Sequence, residues 1–471
     1  MYQKHMFLTK SPFSAYWVRP GIERRLLTQK SLASLATQST HSSTGHSQDS
    51  APFHSLIKWN ARVLESLLLK VMKHNRARPR ETFSSKKHMD STTNGQNVVP
   101  LDEALESISF SPYQSGTMKN LTQGDSIKSI GKQAKKELLS FVSHIAGMYQ
   151  NVHFHNFEHA SHVTMSANKL MSKISEMNGS SSSSSSKKMS NTEDRDVGIF
   201  FNTFGICSDP LSHFAVVFAA LIHDADHYGL PNAELIQEQP ALGAKFKNTS
   251  VAEQNSIGKA WALLMGPGFE NLRECISGGD SNSMHRFKQL LIRMIIATDI
   301  TDKERMGKEK KRWDEAFTDI AAWDKQWRSR SMKELQKIDV SLKATAVLEA
   351  LMLGSDIAHT MQHWITFAKW NKKLFKERMM AYIEGRSEVD PRLNWYESEL
   401  GFFDFYIIPL ATRLKQCGVF GTAGDEYLGY ALKNRQEWTE KGHLLVMQYE
   451  KWAETQVAEL DDDNSMKSFA A

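Results

Sequence analysis

Apolar residues recur at helical spacing along most of this chain. From about 132 to 456, segments rich in Leu, Ala, Met, Lys and Glu place them three, four and seven positions apart. Alternating Val, Thr and Ile residues, the pattern of strands, are scarce in the same region. Because helical periodicity is the primary sign of amphipathic helices, the sequence predicts an all-α fold with a compact multi-helix domain over 132–456.

A separate amphipathic helix is predicted over 55–75. Its apolar residues fall on one face: Leu56, Val63, Leu64, Leu67, Val71 and Met72. An apolar face of this kind can have one of three roles. It packs against a core, pairs with a second copy in a homodimer, or continues a domain from further upstream.

The remaining segments lack this periodicity. The first 47 residues of the segment 1–54 hold a single acidic residue, Glu23. This composition fits a targeting peptide, a disordered extension or the cut end of a longer polypeptide. We expect a linker and helical lead-in over 76–131, a flexible serine-rich insertion at 179–190 and a disordered tail at 457–471.

Composition and charge narrow the class of protein. The chain has 58 basic and 53 acidic residues and a net charge of +5, which gives no argument for a nucleic-acid partner. The apolar run at 214–222 is about half of the roughly 20 residues that a membrane span needs, so no transmembrane segment is predicted. We expect a cytoplasmic protein, unless the acid-poor N-terminus directs it to an organelle.

The cysteines restrict how a metal ion could be held. Cys207, Cys275 and Cys417 lie far apart in the sequence and form no C-x-x-C pair. This distribution fits a reducing compartment and excludes a disulfide framework and a cysteine zinc cage. Any metal ion must therefore be held by histidines and carboxylates.

Two histidine clusters are candidates for such ligands. Residues 150–163, QNVHFHNFEHASHV, contain His155 and His159, which are four positions apart and therefore share one helix face. Taken alone, this pair could equally be hydrogen-bonded core histidines. In FAALIHDADHYGLPN, His223 and Asp224 end an apolar helical run, where the alternative is a helix-capping cluster.

A third segment supplies another carboxylate. In ALMLGSDIAHTMQHW, at 350–364, Asp356 follows an apolar helical run and has no basic residue within a turn. A buried ionised carboxylate must be paired, protonated or bound to a metal ion. Two imidazoles and two carboxylates suit a hydrolytic zinc ion, with Mg²⁺ or Mn²⁺ beside it.

The order of these motifs closely resembles the catalytic domain of class I 3′,5′-cyclic nucleotide phosphodiesterases, which are HD-type metal phosphohydrolases. The resemblance covers about 145 to 415. Its motifs are HN-x-x-HA at 155–160, HD-x-DH-x-G-x-x-N at 223–232, TD at 298–299, SDI at 355–357 and GFFDFYIIPL at 401–410.

The resemblance implies a role for each matching residue. His159, His223, Asp224 and Asp356 would bind Zn²⁺, and Asp224 would bridge to a second ion, Mg²⁺ or Mn²⁺. His155 would be the general acid that protonates the leaving 3′ oxygen. Residues that orient ligands or metal-bound waters would be His227, Glu253, Thr298 and Asp299.

The resemblance also implies a purine pocket, which here departs from the family. Leu374 and Phe402 would clamp the base, and His359 stands where the family has Asn. Glu399 stands where the family has Gln, and because a carboxylate only accepts hydrogen bonds, we expect a mild preference for cGMP unless Glu399 is protonated. Further departures are Asn255, Ser256 and Asp302, at positions where the family has His.

The sequence therefore predicts metal-dependent hydrolysis of a cyclic purine nucleotide, cGMP or cAMP, to the 5′-monophosphate, which ends a cyclic nucleotide signal. Two alternatives remain. One is an HD-type hydrolase of another phosphoester, and the other is a catalytically weak cyclic-nucleotide binding module. A complete ligand set together with an acid argues against the binding module.

Overall fold

The computed structural model describes residues 50–77, 99–114, 127–176, 192–328 and 330–469. Within these ranges every regular element is helical, and no strand occurs. The predicted all-α fold is confirmed. The predictions for 1–49 and for the serine-rich insertion at 179–190 lie outside the described residues.

The helices up to residue 297 include a long N-terminal helix, a central apolar helix and several short connecting ones. In chain order they are α1 Ser50–Ala77, α2 Lys132–Met148, α3 Phe157–Glu176, α4 Thr192–Asn202, α5 Pro210–Ile222, α6 Asn232–Glu238, α7 Pro240–Lys245, α8 Val251–Met265, α9 Glu270–Ser277 and α10 Ser281–Ala297.

The later helices close the bundle and end in one long helix. They are α11 Lys303–Phe317, α12 Ile320–Arg328, α13 Met332–Leu335, α14 Ser341–Asp356, α15 Trp364–Ile383, α16 Trp395–Phe402, α17 Ile408–Gln416 and α18 Thr422–Phe469. Short 3-10 turns lie at Pro100–Glu103, Ile206–Ser208, Ala358–Met361 and Pro391–Leu393, and a π-helical turn lies at Phe403–Ile407.

Helix α5 is the centre of the domain. Asp209 caps its first turn by accepting a hydrogen bond from the Ser212 N–H at 3.3 Å, and Pro210 occupies the first helical position. Every residue from Ser212 to Ile222 is buried, as expected for a helix that is apolar on all sides. Helices α1, α3 and α10 pack around it, and its C-terminus delivers His223 and Asp224 to the interior.

Helix α1 uses its apolar face for core packing. Leu64, Leu68 and Val71 are buried and belong to the same core as the rest of the domain. The Asn60 amide donates a hydrogen bond to the Ser161 hydroxyl of α3 at 2.9 Å. Of the three roles that the sequence leaves open, the described contacts show core packing.

Residues 99–114, which we call the strap, correct part of the predicted linker and helical lead-in over 76–131. The strap lies across the domain, and its Ile108 and Tyr113 side chains are buried. Four backbone N–H groups donate to side chains at 2.9 to 3.2 Å, from Leu101 to Gln254, from Leu105 to Gln289, from Ile108 to Thr345 and from Phe110 to Ser341. The folded unit therefore extends beyond the predicted 132–456.

Helix α18 corrects the prediction of a disordered tail at 457–471, because the helix continues to Phe469. The acidic triplet at 461–463 suggests an end of the helix, but no Gly or Pro follows residue 442 to break it. Trp438, Tyr449 and Ala453 anchor its buried face. Among the described helices, none has the combined length and apolar character of a membrane-spanning helix.

Candidate active site

Three chain segments bring the four expected metal ligands together. His159 lies in the first turn of α3, His223 and Asp224 follow α5, and Asp356 ends α14. The His159 Nε2 atom lies 3.0 Å from Asp356 Oδ1 and 3.6 Å from Asp224 Oδ2. The His223 Nε2 atom lies 3.0 Å from Asp224 Oδ2 and 3.3 Å from Asp356 Oδ1.

The donor atoms of this cluster fit a divalent cation. The His223 Nδ1 atom lies 2.9 Å from the Ala220 carbonyl, and donating to it leaves the Nε2 lone pair facing the cluster. His223 Nε2 and Asp224 Oδ2 are buried and lie 3.0 Å apart in an orientation that forms no hydrogen bond, so neither atom has a hydrogen-bond partner among the described residues. A buried polar atom without a partner is costly, and coordination of a metal ion would remove that cost.

The electrostatics of the cluster also require a positive charge. Burial disfavours the charged imidazole of His223, but Asp224 and Asp356 outweigh it and raise the pKa of His223 well above its usual range. Burial likewise opposes ionisation of Asp224, yet the neighbouring histidines hold the pKa of this carboxyl well below its usual range. Protons or a divalent cation can supply this charge.

His155 is held by a carboxylate from another helix. Its Nδ1 atom makes a close contact with Oε1 of Glu377, a buried residue of α15. The Glu377 Oε2 atom accepts backbone N–H bonds from Phe154 at 2.6 Å and from His155 at 3.0 Å. These three contacts fix both the ring orientation of His155 and the approach of its loop.

The charge of Glu377 favours the imidazolium form of His155. Burial alone would lower the pKa of His155, but Glu377, with smaller contributions from Asp224 and Asp356, raises it to about 9. The pairing also lowers the pKa of Glu377 to about 2, against the effect of its own burial. His155 is therefore protonated at neutral pH, beside the cluster of expected metal ligands.

His227 stacks on His155 but stays neutral. The two ring centroids lie 4.0 Å apart at an interplanar angle of 30°. Burial, followed by the charge of His155, lowers the pKa of His227 to about 4. Its Nδ1 atom accepts the Gly229 N–H at 3.1 Å, so Nε2 carries the proton.

Glu253 and Asp299 form a pair of carboxyls at the side of the cluster. The Asn232 amide donates to Glu253 Oε2 at 2.9 Å and to Asp299 Oδ2 at 3.3 Å. The Ser250 hydroxyl also donates to Asp299 Oδ2, at 2.7 Å. Burial, followed by the nearby Asp299 charge, raises the pKa of Glu253 to about 8, so Glu253 is protonated at neutral pH.

Thr298 and Asp302 serve the ends of helices. The Thr298 hydroxyl donates to the Ile295 carbonyl at 2.7 Å, at the C-terminus of α10. Asp302 caps the start of α11 by accepting the Arg305 N–H at 3.0 Å. The structure therefore gives both side chains a local bond.

Asn255 and Ser256 support the turn that carries two of the expected metal ligands, His223 and Asp224. Asn255 donates to Asp226 Oδ2 at 2.9 Å, and Ser256 donates to a backbone carbonyl of the same turn. Asp226, at φ +65°, also accepts from Gln150 at 2.7 Å and pairs closely with Lys259. This network holds a left-handed backbone position between His223 and His227.

The residues expected around the base lie on α15 and α16, which are joined by a buried hydrogen bond. The Asn371 amide donates to Glu399 Oε2 at 3.0 Å, and its own carbonyl accepts from Trp395 Nε1 at 3.2 Å. Leu374 lies one turn beyond Asn371, and Phe402 lies one turn beyond Glu399. Burial raises the pKa of Glu399 to about 8, although the bond from Asn371 opposes this shift.

His359 occupies the 3-10 turn that follows Asp356 and is buried. Its ring lies 5.6 Å from the Phe154 ring and 6.2 Å from the Trp370 ring, centroid to centroid. Burial lowers the pKa of His359 well below its usual range, so the ring is neutral. These contacts place it among the aromatic residues behind His159.

Three residues of the site region are absent from the expected set: Glu377, Asp226 and Asn371. Glu377 lies in the lysine-rich segment NKKLFKERMM, and no local pattern marks it. Asp226 belongs to the HDADH motif and is the one that a search for buried carboxylates could have found. The position of Asn371 in the site follows from its hydrogen bond to Glu399, which lies 28 residues later on another helix.

Comparison with known proteins identifies the family of this chain. The profile described as 3′5′-cyclic nucleotide phosphodiesterase matches residues 154–419, more than half of the chain. The chain belongs to the 3′5′-cyclic nucleotide phosphodiesterase family. The predicted family is confirmed.

Individual relatives are distant. A human dual-specificity calcium/calmodulin-dependent 3′,5′-cyclic nucleotide phosphodiesterase 1B is 24% identical over 214 residues, 43% of this chain and 34% of the relative. A probable 3′,5′-cyclic-AMP phosphodiesterase of Caenorhabditis elegans is 21% identical over 324 residues, 67% of this chain and 41% of the relative. The chain thus spans about a third of the length of the first of these curated relatives.

A solved structure also resembles the chain. It is the phosphodiesterase domain of a rhodopsin phosphodiesterase fusion protein from the choanoflagellate Salpingoeca rosetta, with 19% identity and a TM-score of 0.46. The match covers 67% of this chain and 85% of that domain.

Proposed function

We propose that this chain hydrolyses a 3′,5′-cyclic purine nucleotide to the 5′-monophosphate with the help of divalent cations. The observation that carries this proposal is the convergence of His159, His223, Asp224 and Asp356 directly beside the protonated His155. Family membership supports the same chemistry. Such an activity would terminate a cyclic nucleotide signal.

The four converging side chains would hold Zn²⁺, and Asp224 would also face a second ion, Mg²⁺ or Mn²⁺. These ions would supply an ionisable water and neutralise charge on the phosphoryl oxygens. Glu253 and Asp299, bridged by Asn232, would orient water on the side of the second ion. The mixture of imidazole and carboxylate ligands suits Zn²⁺ beside a harder cation.

His155 would complete the reaction as the general acid. Hydrolysis forms a bond between a water oxygen and phosphorus and breaks the bond between phosphorus and the 3′ oxygen. The leaving 3′ oxygen needs a proton, which the His155 imidazolium can donate. Glu377 would keep His155 protonated, and neutral His227 would stack against it without competing for that proton.

The proposal is tested by hydrolysis of cAMP and cGMP with and without a chelator. We expect both the chelator and Asp356→Ala to abolish formation of 5′-AMP and 5′-GMP, and Asp356→Ala to lower the metal content of the purified protein. The matched control is Asp314→Ala, an exposed carboxylate on α11. Turnover that survives the chelator, or full activity of Asp356→Ala, would refute the metal-dependent mechanism.

The choice of base would depend on the charge of Glu399. The Asn371 amide uses one acceptor position of Oε2, which leaves Oε1 and the second lone pair of Oε2 for a ligand. A charged carboxylate accepts from N1–H and the 2-amino group of guanine but repels the N1 lone pair of adenine. A neutral carboxylic acid can donate to adenine N1 and accept from its 6-amino group.

Glu399 would therefore accept both purines at neutral pH and favour guanine in alkaline solution. Its pKa of about 8 implies that the neutral acid predominates at pH 7 and the carboxylate at pH 9. We expect the ratio of kcat/KM for cGMP to that for cAMP to rise between these pH values. In Glu399→Gln, which has no proton to lose, the ratio should stay constant.

A ratio that is constant in the wild type, or that falls with pH, would contradict this role of Glu399. The two alternatives to a cyclic nucleotide phosphodiesterase give different results in the first assay. Another phosphoester hydrolase would produce no 5′-nucleotide from cAMP or cGMP. A weak binding module would bind both without turnover.

A further inference from the structure

A cleft lined by lysines lies on the outer side of the segments that carry His155 and Glu377. Its volume is about 440 Å³. One wall is the loop 151–156, and the other is helix α15, whose four cleft lysines are Lys369, Lys372, Lys373 and Lys376. Because these positions are three, four and seven apart, the four side chains share one helix face.

The positive charge in this cleft exceeds the negative charge beside it. Glu158 pairs with Lys369 at 2.9 Å and with Lys373 at 2.5 Å, and thus serves two lysines with one carboxylate. Within the described ranges, Lys372 and Lys376 have no carboxylate partner. Four ammonium groups therefore face one acid, and such an excess attracts an anion with several charges.

The other groups at the cleft do not cancel this excess. Burial, followed by the charge of Lys376, lowers the pKa of His153, so this ring is neutral and can donate or accept a hydrogen bond. Burial and the charge of Lys372 lower the pKa of Lys376. Two carboxylates outside the cleft, Glu377 and Glu384, raise the pKa of His153. Of these, Glu377 is paired with His155.

The walls of the cleft are built to keep its shape. The Asn156 amide donates to the Val152 carbonyl at 2.9 Å and to the His153 carbonyl at 3.1 Å, which closes the loop on itself. The Lys376 ammonium lies 4.3 Å from the centroid of the Trp452 ring, and Lys373 lies 4.5 Å from that of Trp370. These contacts restrict the positions of the Lys373 and Lys376 side chains.

We propose that this cleft binds a small soluble molecule that carries several phosphate groups. The cleft volume of about 440 Å³ lies within the range of small-molecule sites, which span roughly 300–1,000 Å³. Ammonium groups at the spacing of one helix face can each contact a separate phosphate. A flat membrane or an extended nucleic acid would require a broader basic surface than one face of α15.

The test is isothermal titration of the full chain with inorganic tripolyphosphate. Mg²⁺ is kept in excess over tripolyphosphate so that the free cation concentration stays constant. We expect saturable binding that weakens with added salt and weakens at least tenfold in the double variant Lys372→Gln, Lys376→Gln. The matched control is Lys310→Gln, Lys311→Gln, two exposed lysines of α11, which should bind like the wild type.

The result does not depend on catalysis, so failure of the proposed hydrolysis would leave it unchanged. Equal binding by the wild type and the Lys372, Lys376 double variant, with unchanged melting temperatures, would overturn the site. So would the absence of binding by the wild type. Binding only to vesicles that contain anionic lipid, and not to tripolyphosphate, would likewise reject a soluble ligand.

Discussion

Removing the charge of Glu377 should change the pH profile of the proposed reaction. Glu377→Gln keeps an oxygen that can accept the Phe154 and His155 backbone N–H groups. It removes the negative charge that holds the proton on His155. We therefore expect the variant to fold normally but to lose its acid as the pH rises.

The size of the effect follows from the protonated fraction of His155. At pH 7.5 a pKa of about 9 leaves the ring about 97% protonated, whereas the usual pKa of about 6.5 leaves about 9%. The variant should therefore lose roughly tenfold in kcat/KM at pH 7.5, about 1.4 kcal/mol, and less at pH 5.5. Tenfold is the lower figure, because burial lowers the pKa of His155 further once Glu377 no longer opposes it.

The assay is kcat/KM for cAMP and cGMP between pH 5.5 and 9, measured in parallel for the wild type, Glu377→Gln and a control variant. The control is Glu384→Gln, which removes an exposed carboxylate one residue after α15. Its profile should match that of the wild type. If Glu377→Gln had the profile of the wild type, or lost the same factor at every pH, Glu377 would not act through the protonation of His155.

Two further predictions concern stability. Thr345→Val leaves the buried Ile108 N–H without its acceptor. It should lower the free energy of unfolding, measured in urea, by about 1–3 kcal/mol. An unchanged urea midpoint would mean that the strap does not need this hydrogen bond. In α18, Gly424→Ala places a Cβ 2.9 Å from the Lys415 Cα and should lower the melting temperature, whereas Gly429→Ala meets nothing within 4 Å and should raise it through helix propensity. A fall in both variants would contradict this reading of α18.

The convergence of the expected metal ligands could be predicted in large part, because three of the four residues stand where apolar helices end. His223, Asp224 and Asp356 each interrupt or follow a run that must be buried, so their polarity needs a partner. The periodicity that marks those helices also predicts the all-α class. Both inferences rest on local patterns, which a single sequence displays directly.

Contacts between distant segments could not be predicted in the same way. Glu377 meets His155 across 222 residues, and its own segment reads as a solvated lysine-rich face. The strap contains scattered apolar residues without a period, so its buried positions resemble those of a linker. At the C-terminus, three consecutive aspartates suggest a boundary, but a run of Asp weakens a helix far less than Gly or Pro does.

The strap and α1 set the length of chain that can fold autonomously. A fragment cut at the limits of the family match, 154–419, would lose the helix that covers one side of α5 and the segment that satisfies Gln254, Gln289 and Thr345. Its newly bared apolar surface would promote aggregation during expression. A fragment for recombinant expression should therefore begin no later than residue 50, because a fragment that begins at 154 lacks helices that form part of the hydrophobic core.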